Sequence, residues 1–278
     1  MISRLIVAAG SGDYPRLVIE GARRAGVKEI LLVAIRGSTA KATIKAADCV
    51  HKVSLGGIAQ AIRWAAEQRA DGLILAGQIN PLSLFTGRFD DEVKSWLAEL
   101  EVKTAHTIFG KLIEKIEALG IKVLPASSFM EDHLPGEGVL TERAPSEGEL
   151  LDIRHAKDVV RDVGAHDVGQ TVMVKRGMVL AVEAFEGTNA AIARGGRLGG
   201  RGGIVFKAAR EAHDMRFDIP VVGLKTLKTM RKAGATALAF QAGRLVLLDR
   251  DAVIRYANRY SIAIAGIESG LPHAPIRP

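Results

Sequence analysis

Short apolar runs alternate with helical patterns through the first half of the chain. The apolar runs have the length of strands and occupy residues 5–9, 30–34, 73–76 and 121–124. The segments in which apolar residues recur at helical spacing are residues 15–25, 57–68, 90–100 and 107–119. Because strands and helices alternate, this half is predicted to form an open parallel sheet, a Rossmann-like α/β domain.

The second half follows a different order. Ser146 and Glu149 form a capping box that predicts a helix to about residue 163. Residues 170–175 and 178–184 are apolar on either side of an Arg-Gly pair and predict a hairpin. Later strands are predicted at residues 203–206, 220–223, 235–240, 244–248 and 261–265, with a helix at residues 251–258. This order predicts a mixed α/β domain.

The chain is predicted to divide near residues 133–138, where proline and glycine cluster. We therefore expect a Rossmann-like N-terminal domain over residues 1–132 and a C-terminal mixed α/β catalytic domain over residues 136–278. Three prolines fall within residues 270–278, and we expect this segment to fray.

The composition is that of a folded protein with a substantial core. Of the 278 residues, 48% are hydrophobic and 25% are charged, which excludes general disorder. The single cysteine, Cys49, excludes a disulfide framework and fits a reducing compartment. The apolar runs are far shorter than the ~20 residues of a membrane-spanning helix, and the first ends at once in a glycine loop, unlike a signal peptide. We expect a cytoplasmic protein and leave peripheral membrane contact open.

The net charge of +7 is concentrated in one segment. Residues 194–232 hold ten Lys or Arg and three Asp or Glu, so this segment alone accounts for the whole net charge. Such a local concentration of positive charge indicates an anionic ligand more than a diffuse polyanion-binding surface.

Two glycine loops follow predicted strands of the first half and are candidate ligand-binding segments. The first precedes a helix, where backbone N–H groups can hold an anion, although it lacks the third glycine of a dinucleotide fingerprint and the ending of a Walker A loop. The candidate substrate-binding residues of the two loops are Gly10, Ser11, Gly12, Asp13, Gly77 and Asn80. The alternatives are a tight turn without a ligand and ordinary packing.

The second strand of the hairpin is predicted to end in a polar turn, and the stretch from the strand end through this turn contains Glu183, Glu186, Thr188 and Asn189. Residues an odd number of positions apart on a regular strand face opposite sides. We therefore expect only one of the two carboxylates to be functional, and we favour Glu186 because it lies at the turn. The glycine-rich basic run at residues 194–203 is predicted to be a loop.

Phosphate and metal chemistry is indicated further along the chain. Asp214 and Asp218 lie four positions apart with Arg216 between them, and Lys207 and Arg210 precede them. Carboxylate oxygens suit Mg²⁺ and basic side chains suit phosphate oxygens, and phosphoryl transfer needs both. The alternative is a surface cluster of salt bridges. The seven histidines are scattered, which disfavours a zinc site.

Five motifs occur in a fixed order along the chain. They occupy residues 9–15, 136–141, 168–172, 181–188 and 214–223. The Glu-Gly-Thr and Asp-x-Arg-x-Asp-x-Pro elements are fairly specific when they occur together. With these motifs the sequence resembles the LpxI family, the UDP-2,3-diacylglucosamine pyrophosphatases of lipid A synthesis.

The resemblance implies two domains with the lipid product held between them. It also implies Mg²⁺-dependent hydrolysis of the substrate pyrophosphate to UMP and 2,3-diacylglucosamine 1-phosphate (lipid X). Asp214 and Asp218 would then belong to the metal-binding and water-activating group, and Glu186 and Thr188 would line the site. The family pattern has aspartate where this chain has Asn189, whose carbonyl oxygen can still bind a metal.

We expect the catalytic residues to be Asp214, Asp218 and Glu186, and the metal ligands to be these three together with Asn189. The substrate-binding residues expected in the second half are Gln170, Thr188, Lys207, Arg210 and Arg216. The expected partner is an acylated UDP-sugar substrate, while a homodimer and transient contact with the inner face of the inner membrane stay open.

Two other functions compete with hydrolysis. A Rossmann-like half is also typical of a nucleotide-sugar-binding protein without catalysis. The isoelectric point of about 9.6 and the Arg-Gly-Gly repeats favour a nucleic-acid-binding protein. Stacking aromatics are few and the positive charge is confined to one segment, so we expect no nucleic-acid partner.

Overall fold

The chain forms two α/β units in a computed structural model that describes residues 2–78, 89–209, 214–217 and 219–268. Unit 1 comprises the described residues up to 131 together with residues 214–217, and unit 2 comprises the remainder. The predictions that lie outside the described residues concern Asn80, Arg210, Asp218 and residues 270–278.

Unit 1 is built on a parallel sheet. Its strands are β1 (Arg4–Ala9), β2 (Glu29–Ile35), β3 (Cys49–Val53) and β4 (Gly72–Ala76). Its described helices are α1 (Tyr14–Arg24), α2 (Lys41–Ala46), α3 (Ile58–Glu67), α4 (Asp91–Ala98) and α5 (Ala105–Ala118). The strand order is β3-β2-β1-β4 with every neighbour parallel, which matches the first four positions of the doubly wound order 3-2-1-4-5-6.

The apolar runs of unit 1 form strands because both faces of the sheet are covered. Leu5, Ile6 and Val7 of the central strand are fully buried, as expected for a parallel sheet between helices. The prediction of a strand at residues 121–124 is wrong in extent: only an isolated parallel bridge joins Val123 to Leu73.

A short segment distant in sequence completes unit 1. The carbonyl of Met215 accepts a hydrogen bond from the backbone N–H of Ala126 at 2.7 Å. The Phe217 ring stacks on Phe109 with a centroid distance of 5.4 Å and lies 5.2 Å from the ring of His106. The segment is thus fixed by both backbone and ring contacts.

Unit 2 has a mixed sheet of six strands in the order β5-β12-β10-β8-β6-β7. The strands of unit 2 are β5 (Gly138–Val139), β6 (Thr171–Lys175), β7 (Met178–Val182), β8 (Ile204–Lys207), β9 (Val221–Val222), β10 (Ala237–Gln241), β11 (Val246–Leu247) and β12 (Ala263–Ile267). Strands β8, β10 and β12 run parallel, β5 and β6 are antiparallel to their neighbours, and β9 pairs with β11 separately. The parallel sheet of unit 1 and this mixed sheet confirm the predicted fold class.

Helices cover both faces of the six-stranded sheet. The described helices of unit 2 are α6 (Glu147–Gly164), α7 (Thr188–Gly199), α8 (Leu224–Ala233) and α9 (Arg250–Arg259). Helix α6 packs on Phe206, while α7, α8 and α9 pack on the opposite face with Val205. Because side chains alternate along a strand, Lys207 at the end of β8 points to the α7 side. No helix among the described residues is long and apolar enough to cross a membrane.

The prediction of a glycine-rich loop at residues 194–203 is wrong, because most of this run belongs to helix α7. Its glycines allow close packing. A Cβ atom on Gly195 would lie 2.7 Å from the sulfur of Met173, and one on Gly196 would lie 2.4 Å from the carbonyl oxygen of Ala233. Glycine here removes side chains that would hold α7 away from strand β6 and helix α8.

Candidate active site

A hydrogen-bonded polar cluster lies at one edge of the unit 2 sheet. Strands β7 and β8 are both antiparallel to β6, so their carboxyl ends meet at the same edge. The ammonium of Lys207 donates to the hydroxyl of Thr188 at 2.7 Å, and this hydroxyl donates to Oε1 of Glu183 at 2.8 Å. The Thr171 hydroxyl donates to Thr188 at 3.5 Å. One hydroxyl therefore joins a cation to a carboxylate.

Two glycines allow this local arrangement. Gly187 precedes helix α7 with a φ of 80°, a left-handed conformation that favours glycine, and it turns the chain from β7 into the helix. A Cβ atom on Gly169 would lie 2.1 Å from the carbonyl oxygen of Glu183. The absence of a side chain at Gly169 thus lets its backbone pass directly beside Glu183.

Burial strengthens the electrostatic interactions of the charged groups in the cluster. Lys207 is only 6% exposed, and a buried ammonium requires polar partners. Lys207 also lies near the amino end of α7, where backbone N–H groups favour anions. A buried cation beside a helix amino end can hold an anionic group such as a phosphate.

The two carboxylates of the turn have different surroundings. Glu186 is exposed, and its carboxylate binds the guanidinium of Arg194 at 2.5 Å and the backbone N–H of Ala184 at 3.2 Å. The hydrogen bond from Arg194 holds the pKa of Glu186 below its usual value. Glu183 instead has one oxygen, Oε2, that is buried and accepts no hydrogen bond.

The predicted pair Asp214 and Arg216 belongs to unit 1. The Arg216 guanidinium reaches both oxygens of Asp214, with its closest contacts at 2.9 and 2.7 Å, and it also binds Glu117 at 2.9 Å. These hydrogen bonds lower the pKa of Asp214 and raise the pKa of Arg216. Asp214 is therefore an ionised carboxylate whose two oxygens both accept hydrogen bonds from Arg216.

The first glycine loop is joined to the second by backbone hydrogen bonds. Ser11 and Gln78 exchange bonds between their backbone groups at 2.8 and 3.1 Å, and the Ser11 hydroxyl donates to the Gln78 carbonyl. A Cβ atom on Gly10 or Gly77 would lie within 2.7 Å of the opposite loop. These contacts account for two of the glycines by close packing.

The remaining predicted residues have simple placements. Gly12 has a φ of 90° and Asp13 precedes helix α1 without a side-chain cap. The Gln170 carbonyl accepts a hydrogen bond from Ala208 at 3.0 Å, which joins the start of β6 to the end of β8. Asn189 lies in the first turn of α7 with its Oδ1 buried and without a hydrogen-bond partner.

Sequence reasoning passed over Glu183 and Thr171. Strand alternation set Glu183 and Glu186 on opposite sides, and the position of Glu186 at the turn favoured it. The signal available in the sequence was the position of Glu183 at the end of an apolar strand.

The fold and the cluster together define a two-unit α/β protein with a candidate anion site. Residues 4–133 match the LpxI N-terminal domain and residues 136–265 match the LpxI C-terminal domain. The chain therefore belongs to the LpxI family.

One curated relative is the UDP-2,3-diacylglucosamine pyrophosphatase LpxI of Caulobacter vibrioides. It is 32% identical over 174 residues, which cover 60% of this chain and 62% of that protein. The match thus spans less than two thirds of the relative's own length.

Solved structures resemble the chain only weakly. The biotin carboxylase subunit of pyruvate carboxylase is 15% identical with a TM-score of 0.28, over 67% of this chain and 39% of that one. The biotin carboxylase domain of Hydrogenobacter thermophilus 2-oxoglutarate carboxylase is 14% identical with a TM-score of 0.27, over 84% of this chain and 40% of that one. Scores this low assign neither fold nor function.

Mg²⁺ requires hard oxygen donors, and Asn189 offers one in its buried, unpartnered Oδ1. Glu186 and Asp214 are each bound by an arginine and would have to release it. Within the described ranges, no three His, Cys, Asp or Glu side chains are grouped as metal ligands. Mg²⁺ is commonly held by one or two carboxylates beside substrate phosphates, and the free oxygen of Asn189 fits as a neutral hard donor added to such a set.

Proposed function

We propose that this protein hydrolyses the pyrophosphate of UDP-2,3-diacylglucosamine to UMP and 2,3-diacylglucosamine 1-phosphate, a step of lipid A synthesis. Membership of the LpxI family supports the reaction class. The observation that carries the proposal is the buried ammonium of Lys207 beside the first residue of α7. A fixed positive charge at this position would bind the negatively charged pyrophosphate of the substrate.

Lys207 would hold a phosphate oxygen of the substrate. Its bond to Thr188 fixes the direction of the ammonium, and burial strengthens its attraction to an anion. Charge accumulates on the phosphate oxygens as the bond to the leaving phosphate breaks, so a fixed cation lowers the barrier.

We propose Mg²⁺ as the cofactor, with Asn189 among its ligands. When bound, the ion would neutralise phosphate charge and polarise the reacting phosphate. Asp214 and Asp218 remain proposed members of this group, and Asp218 lies outside the described residues.

The direct experiment is to incubate the purified protein with UDP-2,3-diacylglucosamine, with Mg²⁺ or with a chelator, and to measure UMP. We expect UMP only with Mg²⁺ and a loss of at least a hundredfold in kcat/KM in Lys207→Met, as loss of one electrostatic contact commonly costs ~10²–10³. Asp251→Asn, an exposed change in the first turn of α9, is the control. Substrate binding without turnover in wild type would leave a nucleotide-sugar-binding protein instead.

A further inference from the structure

The two carboxylates that precede α7, those of Glu183 and Glu186, differ in what they can still bind. Both oxygens of Glu186 accept hydrogen bonds, one from Arg194 and one from Ala184. Glu183 uses Oε1 for Thr188 and leaves Oε2 buried without a donor. A buried carboxylate oxygen without a partner is uncommon and unfavourable. At a binding site such an oxygen is available to a ligand.

The hydrogen bonds fix the direction of Glu183. The single proton of the Thr188 hydroxyl is donated to Oε1 of Glu183, and its lone pairs accept from Lys207 and Thr171. The hydroxyl therefore has no further proton to offer a ligand. Its role is to hold the Glu183 carboxylate while it accepts a hydrogen bond from Lys207.

We propose that Glu183 is the base that activates the attacking water, an inference that rests on the proposed hydrolysis. The water oxygen forms a bond to phosphorus, and one water proton passes to Oε2 of Glu183. The bond from phosphorus to the bridging oxygen breaks, and its electron pair leaves with that oxygen on the departing phosphate. Glu183 then returns its proton to solvent.

Neither of the other described acidic candidates is equally suited to this step. Arg216 occupies both oxygens of Asp214, and Arg194 and Ala184 occupy those of Glu186. A base needs an oxygen within reach of the water. Oε2 of Glu183 is bound by no arginine and accepts no hydrogen bond, so a water brought in with the substrate would meet an unoccupied acceptor there.

The test is Glu183→Gln, measured as kcat and KM for UMP release from UDP-2,3-diacylglucosamine at saturating Mg²⁺. Glutamine keeps the acceptor for Thr188 and the size of the side chain, and it removes the basic oxygen. We expect kcat to fall by about a hundredfold or more with KM changed by less than about threefold. The Asp251→Asn protein serves as the matched amide control.

Three results would overturn the role of Glu183. One is a wild-type kcat in Glu183→Gln, and another is retained turnover there with lost turnover in Glu186→Gln. The third is a loss of activity in Glu183→Gln that excess Mg²⁺ restores, because that marks a metal ligand. If the glutamine variant melts below the assay temperature, Glu183→Asp decides: the withdrawn carboxylate should lower kcat at least about tenfold, and an unchanged kcat overturns the role. If the wild-type protein releases no UMP, the proposed hydrolysis itself fails. If the wild-type protein is active and one of the three results above is found, only the role of Glu183 fails.

Discussion

Arg143 binds both carboxylate oxygens of Glu149, with nitrogen–oxygen distances of 2.7 and 3.0 Å. The same Glu149 completes the capping box of α6 by accepting the backbone N–H of Ser146 at 2.8 Å. Arg143 also donates to the carbonyls of Thr236 and Ser261. One ion pair thus ties the start of α6 to the loops before β10 and β12.

This ion pair makes stability depend on pH. Burial alone would raise the pKa of Glu149, but hydrogen bonds from Arg143, Thr236 and Ser146 lower it from 4.5 to about 2. A lowered pKa means that the unfolded chain binds the proton first, so the stabilisation is complete above about 4.5 and is lost as the pH falls towards about 2. We expect Glu149→Gln to lower the free energy of unfolding at pH 7 by about 2 kcal/mol.

Urea denaturation between pH 2 and pH 7 measures this effect. The variant should lose the part of the pH dependence that Glu149 supplies, and the exposed Glu147 of the same helical turn, changed to Gln, is the control. Parallel pH curves for wild type and Glu149→Gln would show that the pair adds no pH-dependent stability.

Asn189 stands where the resemblance to the LpxI family implies aspartate, and its substitution tests the proposed metal site. If its free Oδ1 faces Mg²⁺, Asn189→Asp adds an anionic ligand and should lower the Mg²⁺ concentration for half-maximal activity. If Asn189 only stabilises the first turn of α7, aspartate can serve the same purpose, and the midpoint will not move. A Mg²⁺ titration at fixed ionic strength separates the two cases, and isothermal calorimetry with Mg²⁺ gives a readout independent of turnover.

Acyl recognition follows from the proposed substrate. Each buried methylene contributes about 0.8 kcal/mol, so the acyl chains should supply several kcal/mol of binding. We expect UDP-GlcNAc to be a very poor substrate beside the diacylated compound, as judged by kcat/KM for UMP release. Equal values would indicate a hydrolase of unacylated nucleotide sugars.

Phe217 is expected to stabilise unit 1. Its ring stacks on Phe109 and packs on the core of that unit. Phe217→Ala should lower the free energy of unfolding by about 2–3 kcal/mol, because the side chain is only partly buried. Denaturation followed by the fluorescence of Trp64 and Trp96, both in unit 1, measures the change, and Phe185→Ala on the surface of unit 2 is the control. Equal losses in both variants would contradict this role.

The elements with strong local signals were predictable from the sequence. The capping box of α6 and the apolar run of β1 appear as predicted. The hairpin turn also forms as predicted, with φ values of 49° at Arg176 and 75° at Gly177. Strand β3 (Cys49–Val53) was missed because it is short and carries polar residues at an edge of the sheet.

Helix α7 and the choice of carboxylate were not predictable from local signals. Glycine is unfavourable in isolated helices, whereas Gly196 is favoured here by the close approach of Ala233. Lys207 and Thr188 were both predicted in the site, and the structure joins them by a hydrogen bond. Their bonding to Glu183 depends on the pairing of β7, β6 and β8, which no single segment encodes.

The discontinuity of unit 1 has a consequence for synthesis on the ribosome. Residues 214–217 supply Phe217 and the partner of Ala126, yet they are translated after the stretch from 132 to 213. At ~5–20 residues per second, that stretch takes roughly 4–16 s. During this interval the nascent unit lacks the Phe217 ring that stacks on Phe109 and the carbonyl that pairs with Ala126. A fragment that ends at residue 131 has the same composition as unit 1 at that stage of synthesis, because it lacks residues 214–217.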